Sequence, residues 1–181
     1  MLRRYVLLLS AAAVWLVGWK QPSTSSHESK NVGFAPGEIG SLLPDFSVED
    51  LHGHEISSAD LRGKVVLIDF WATWCQPCRQ EMPGLQKLLD RYGSRRLAIV
   101  GFKFSNMEDT EDPMVFAKKI GVHYPLAVAT EGLQEKFGGI EGLPTTLLYD
   151  RQGVLRKKVI GFEYTETIES ELKPLFDGAG S

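Results

Sequence analysis

The sequence predicts an α/β fold: a mixed central β-sheet flanked by helices on both faces, with an N-terminal β-hairpin extension. Three observations predict it. Val65–Phe70 and Leu97–Phe102 are apolar, β-branched runs of the buried-strand type. Helical patterns follow them, over Arg79–Arg91 and Pro113–Ile120. Finally, Thr145–Tyr149 and Val154–Ile160 are separated only by Asp150-Arg151-Gln152-Gly153, a turn by composition, so these two strands form a hairpin. Strand–helix units followed by a hairpin and a helix place both strand senses in one sheet.

The elements follow in order. Arg3 and Arg4 precede Tyr5–Trp19, fifteen residues without a charge, and Lys20 ends the run. A basic start followed by an apolar stretch is the outline of an export signal. Fifteen residues is short for a membrane span, which needs roughly 17–25, but no small-x-small cleavage site follows Trp19. Residues 1–20 are therefore read as an N-terminal membrane anchor in preference to a cleaved signal peptide. By the positive-inside rule the arginines stay cytoplasmic and the rest is exported. Residues 21–38, with Pro22, a Ser-Thr-Ser-Ser run, Gly33, Pro36 and Gly37, have little to bury and read as a flexible linker.

The folded domain is expected over 39–178. Phe46-Ser47-Val48 and Glu55-Ile56 form the short hairpin around His52-Gly53-His54, and Ser57–Leu61 a brief helix or turn. Asp112 is placed to cap the helix at Pro113, and Gly121 to stop it. Leu126–Val128 is a short strand, Leu133–Phe137 a short helix ended by Gly138-Gly139, and Tyr164–Phe176 the closing helix. Arg156-Lys157-Lys158, the one dense basic run, reads as the charged surface of an edge strand.

Composition narrows the function. Across 181 residues, 43% are hydrophobic and 24% charged, with a net charge of −3. A soluble globular domain fits these values, and a nucleic-acid partner, which calls for a clustered basic footprint, does not. Two cysteines alone cannot form the disulfide framework of small secreted domains.

Those two cysteines lie in Trp74-Cys75-Gln76-Pro77-Cys78, between a buried strand and a helix, which is the mark of a thiol–disulfide redox site. Cysteines at this spacing on a helix are close enough to bridge with a small adjustment. At the first turn, free backbone N–H groups and the helix dipole favour an anion and lower the Cys75 pKa. Cys75 is thus the attacking thiolate, and Cys78, deeper and less accessible, resolves the mixed disulfide. Half of a zinc site is the alternative, but tetrahedral zinc wants four ligands and no second Cys-x-x-Cys exists. Asp69 is a lone acid in an apolar strand. Burial there raises its pKa and lets it exchange protons with Cys78; facing a loop is the bland alternative. Trp71 reads as packing, Pro83 as a helix kink, and His52, His54 and His123 as structural, with no metal expected.

Asp69-Phe70-Trp71-Ala72-Thr73-Trp74-Cys75-Gln76-Pro77-Cys78, Arg79-Gln80-Glu81-Met82-Pro83 and Gly142-Leu143-Pro144-Thr145-Thr146 together resemble the TlpA/ResA-like extracytoplasmic thiol–disulfide oxidoreductases of the thioredoxin superfamily. Pro44-Asp45-Phe46, Leu61-Arg62-Gly63-Lys64 and the insert between Phe104 and Tyr124 resemble this branch as well. The resemblance implies the thioredoxin fold and a catalytic set of Cys75, Cys78, Glu81 and Asp69, with Glu81 tuning the acidity of the cysteines. An ordinary solvated helix residue is the alternative for Glu81. It also implies a cis Pro144 against the cysteine pair, leaving the Leu143 backbone free to pair with an extended substrate. Trp74 and Pro77 form an apolar rim around the exposed sulfur.

No cofactor beyond the redox-active disulfide Cys75–Cys78 is implied. The partners implied are a protein disulfide client and a membrane electron donor of thiol–disulfide type, at the outer face of the cytoplasmic membrane or in the periplasm. Candidate clients are the haem-attachment cysteines of apocytochrome c and the copper-site cysteines of a respiratory oxidase. Two departures stand out. Cytochrome c maturation members usually follow the proline with glutamate, here Thr145, and many relatives carry asparagine at Asp69. Disulfide oxidase or isomerase action is the rival direction. A copper chaperone is less favoured, since such proteins typically space the cysteines one residue further apart, and so is a peroxidase, since Ala72 stands where peroxidases usually carry threonine or serine.

Overall fold

A computed structural model describes residues 34–105 and 111–177. The expected anchor over 1–20 and most of the linker lie outside these residues. No helix among the described residues is long and apolar enough to cross a membrane.

Among the described residues, seven strands and four α-helices follow one another as β1 (Ser47–Glu49), β2 (Glu55–Ser57), a 3₁₀ turn (Ser58–Leu61), β3 (Val65–Trp71), α1 (Gln76–Tyr92), β4 (Leu97–Lys103), α2 (Pro113–Ile120), β5 (Leu126–Val128), α3 (Glu131–Lys136), β6 (Thr145–Tyr149), β7 (Leu155–Ile160) and α4 (Thr165–Phe176). The main sheet has the order β5-β4-β3-β6-β7. β3 runs parallel to β4 and antiparallel to β6, so the strand that leads into the cysteines is the central one and is buried along its whole length.

Alternation along β3 sends its side chains to two cores. Val65, Leu67 and Trp71 pack with Met82, Leu85 and Leu88 of α1, Phe116 of α2 and Leu172 of α4. Val66, Ile68 and Phe70 pack with Leu133 and Phe137 around α3 and with Phe46, Ile56 and Leu61 of the N-terminal hairpin and 3₁₀ turn. Helices therefore cover both faces, as the alternation of patterns predicts.

The local signals act as their chemistry requires. The Asp112 carboxylate accepts from the N–H groups of Met114 and Val115, and Gly121 closes α2 at φ 72°. Asp150 organises the β6–β7 turn by accepting from the N–H groups of Gln152 and Val154. β7 is an edge strand, and its Arg156 and Lys157 pair with Asp150 and Glu171.

α1 begins at Gln76 with Cys75 as its cap, the helix opening at which the cysteine pair is expected. Two expectations need correction. α3 begins at Glu131, where the Thr130 hydroxyl accepts from the Leu133 N–H. The linker does not extend to Glu38: Ala35 and Glu38 close a hydrogen-bonded turn, and Gly37 lies against the Phe137 carbonyl, an approach a side chain would block.

Candidate active site

The cysteine pair follows directly from the end of β3. The Cys75 N–H donates to the Ala72 carbonyl at 3.2 Å, turning the chain, and Cys75 itself caps α1. Its Sγ accepts from the Cys78 N–H at 3.2 Å, and Pro77 sits in the first turn, where a missing N–H costs nothing. The two residues form a disulfide, with Cα atoms 5.3 Å apart. A sulfur already receiving a helix N–H is placed where a thiolate is favoured.

Cys78 is fully buried, as its deeper position predicts. Cys75, expected to be exposed, is only 4% accessible in this oxidised form, because the capping geometry turns its side chain back over the helix end. Beside it Trp74 is 42% exposed, and Pro77 is exposed as well.

Trp71 is packing. Its ring stacks on Phe116 at 5.2 Å, and the Arg79 guanidinium lies 4.7 Å over the other ring of that pair. Arg79 also donates to the Thr73 carbonyl and to Glu111, so the insert is fastened to the loop that carries Cys75.

A buried acidic cluster lies on the α1 side of the sheet. Asp69, Glu81 and Tyr124 are 1%, 2% and 3% exposed. In register, Asp69 stands between Gly101 of β4 and Thr146 of β6. Glu81 is no solvated helix residue: its two oxygens accept from the Thr146 hydroxyl and the Glu163 N–H, each at 2.8 Å. Burial pushes its pKa up, and those two donors oppose the rise. Asp69 is pushed well above the carboxylate range, first by burial and then by the Glu81 charge. The Tyr124 hydroxyl pulls the other way, without closing a full hydrogen bond, and both Asp69 oxygens are otherwise unpartnered among the described residues. Tyr124 is pushed up in turn by burial and by both carboxyls, so it serves only as a donor. Two carboxyls in one dry site resist ionising together, which suits them to hold and pass a proton.

The Glu163 contact depends on a close helix approach. A methyl group at Gly84, within α1, would overlap the Thr165 hydroxyl at the start of α4. On the substrate side, the Leu143–Pro144 peptide is cis, and the Pro144 carbonyl accepts from the Gly161 N–H at 2.8 Å. Leu143 makes no backbone hydrogen bond among the described residues. His52 and His54 stack at the hairpin tip, His54 beside Asp50, and no group of three or more metal-ligating side chains occurs among the described residues.

The AhpC/TSA family matches residues 39–158. The thioredoxin-like protein YneN of Bacillus subtilis is 34% identical over 95% of this chain and 98% of its own. The thiol–disulfide oxidoreductase ResA of Bacillus thuringiensis is 33% identical over 76% and 79%. The chain belongs to the AhpC/TSA family, as a ResA-like thiol–disulfide oxidoreductase. A solved thiol:disulfide interchange protein of Chlorobium tepidum superposes with a TM-score of 0.68 at 29% identity, covering 77% of this chain and 98% of that one. The thioredoxin-like fold is thereby shown together with the enzyme class.

For this oxidoreductase, the residues missing from the sequence reading are Thr146 as a donor, the Glu163 amide, and Tyr124. A glycine inside a buried strand marks close approach of another group, so Gly101 carries the signal that could have pointed to Tyr124.

Proposed function

We propose that this oxidoreductase is a membrane-tethered reductase of particular protein disulfides outside the cytoplasm. The single observation that supports it most directly is a helix-capping Cys75–Cys78 pair backed by a buried, proton-holding acid cluster. In the reduced protein the Cys75 thiolate attacks a client disulfide. A Cys75–client bond forms, and the other client sulfur leaves as a thiolate. The Cys78 thiol then gives its proton to the ionised Asp69 carboxylate and attacks Cys75. The mixed disulfide breaks, the second client sulfur leaves, and Cys75–Cys78 is oxidised. Two electrons pass to the client, which takes up two protons. Glu81, held by Thr146 and Glu163, sets how readily Asp69 ionises. A membrane electron donor of thiol–disulfide type restores the dithiol, and no further cofactor takes part.

An extended client strand pairs with the free backbone at Leu143, beside cis Pro144, with Trp74 and Pro77 against its cysteine. The resemblance points to haem-attachment cysteines of apocytochrome c or copper-site cysteines as clients. Thr145, in place of the usual glutamate, counts against the first. The export-type segment at 1–20 supports the tether and the compartment.

The reduction potential of the Cys75–Cys78 pair tests the direction. A value near roughly −270 mV is expected of a reductase, whereas one near roughly −120 mV would reverse the assignment to disulfide formation. Cys78→Ser is expected to stall the client on Cys75 and so identify it by mass spectrometry. A Cys75→Ser variant that traps clients instead would overturn the order of attack.

A further inference from the structure

Tyr124 carries a phenol into the acid cluster, and three features place it there. Its backbone N–H and that of His123 both donate to Gln86 Oε1 of α1, at 3.2 and 2.8 Å. Gln86 is itself held, its Nε2 donating to Asp90 at 2.8 Å. Beneath the ring, β4 presents Gly101. A Cβ there would lie 3.2 Å from the Tyr124 ring and 3.0 Å from Trp71 Nε1, and would press on Leu126. Gly101 has no left-handed φ, so its backbone does not demand glycine; the space does. Glycine weakens a strand interior, so its presence here marks what must come close. In register, the residue beside Gly101 on β3 is Asp69.

Among the described residues, the Tyr124 hydroxyl and both Asp69 oxygens are buried and have no other partner. An unpaired buried polar group is costly, and a carboxyl that cycles between neutral and ionised forms pairs differently in each. We propose that Tyr124 is a positioning residue for the thiol–disulfide reaction, its hydroxyl closing a hydrogen bond to Asp69 when that carboxyl is ionised and holding it ready for the Cys78 proton. This rests on the reading of Asp69 as the proton acceptor given above. The other groups at the cluster are Glu81 of α1, Thr146 of β6 and Glu163 ahead of α4; Lys103, on β4, is engaged by the Phe104 carbonyl and Ser105. Tyr124 keeps its proton throughout. The proton leaves Cys78 and arrives on Asp69, the Cys75–Cys78 bond forms, and the Cys75–client bond breaks.

The test uses the full chain with Tyr124→Phe, Asp69→Asn and the double variant. Each reduced protein is mixed in a single turnover with a peptide carrying one disulfide, and release of peptide from Cys75 is followed from pH 5 to 9. Tyr124→Phe keeps the ring, and is expected to move the midpoint of the release step upward. Release on the acid side of that midpoint slows by about tenfold, the scale of one hydrogen bond to a charged acceptor, and the rate at pH 9 stays close to the parent. Asp69→Asn is expected to abolish the acid limb, and Tyr124→Phe to add nothing in that background. If Tyr124→Phe follows the parent pH profile while Asp69→Asn abolishes the limb, the role of Tyr124 is overturned and that of Asp69 stands. If Asp69→Asn keeps the limb, both fall.

Discussion

Replacing Thr146 with valine preserves the branched shape of the side chain and removes the hydroxyl that donates to Glu81 Oε1 at 2.8 Å. Both residues are buried, so water cannot replace the lost donor. A hydrogen bond to an ionised group contributes about 1.5–3 kcal/mol. At about 2–4 °C per kcal/mol for a domain of this size, the melting temperature should fall by about 3–12 °C. The loss must also depend on pH. Burial raises the Glu81 pKa in the folded protein, so its ionisation costs stability as pH rises through the folded value, and the Thr146 hydroxyl reduces that cost. The deficit of Thr146→Val is therefore small at pH 4, where Glu81 is protonated, and full at pH 9. Calorimetric melts of the parent, Thr146→Val and Thr146→Ser at both pH values measure it. Serine restores the hydroxyl and should recover most of the loss. Equal deficits at pH 4 and pH 9, or a serine variant as weak as valine, would mean that the Thr146 hydroxyl does not support the ionised Glu81.

Two further outcomes follow from the same structure. Asp69 has a raised pKa in the folded state, so the parent loses stability as pH climbs through that value; Asp69→Asn has no such charge and should gain on the parent at alkaline pH, and urea midpoints that stay parallel from pH 5 to 9 would contradict this. Phe116→Ala removes a fully buried ring stacked on Trp71 and covered by Arg79, and should cost about 3–5 kcal/mol by chemical denaturation; a loss under about 1 kcal/mol would mean that the insert does not pack as described.

The parts of the fold that could be read from the chain are those whose signals are local. β3, the cysteine turn and the Asp112–Gly121 helix each declare themselves within about ten residues, through apolar runs, capping side chains and glycine. Asp69 stands out for the same reason, as an acid among apolar neighbours. Its surroundings do not. The donors to Glu81 come from 65 and 82 residues away, and only sheet register and the seating of α4 bring them together. Leucine and valine periodicity says which face is buried, not which polar group on another element will be met there. The near-complete cover over Cys75 was hidden likewise, because it depends on the capping rotation of one side chain.

Gly84 looks like a flaw in α1, since glycine in a helix interior is less favourable than alanine by about 1 kcal/mol. Its missing methyl is what lets Thr165 lie against the helix, and two residues earlier the Glu163 amide meets Glu81 one turn back along α1. The glycine therefore belongs to the acid's coordination as much as to the helix. Transplanting this redox site into another scaffold would mean carrying Glu81, Gly84 and the segment 163–165 as a unit. Grafting the Cys-x-x-Cys turn alone would deliver the sulfurs without the setting that governs their proton.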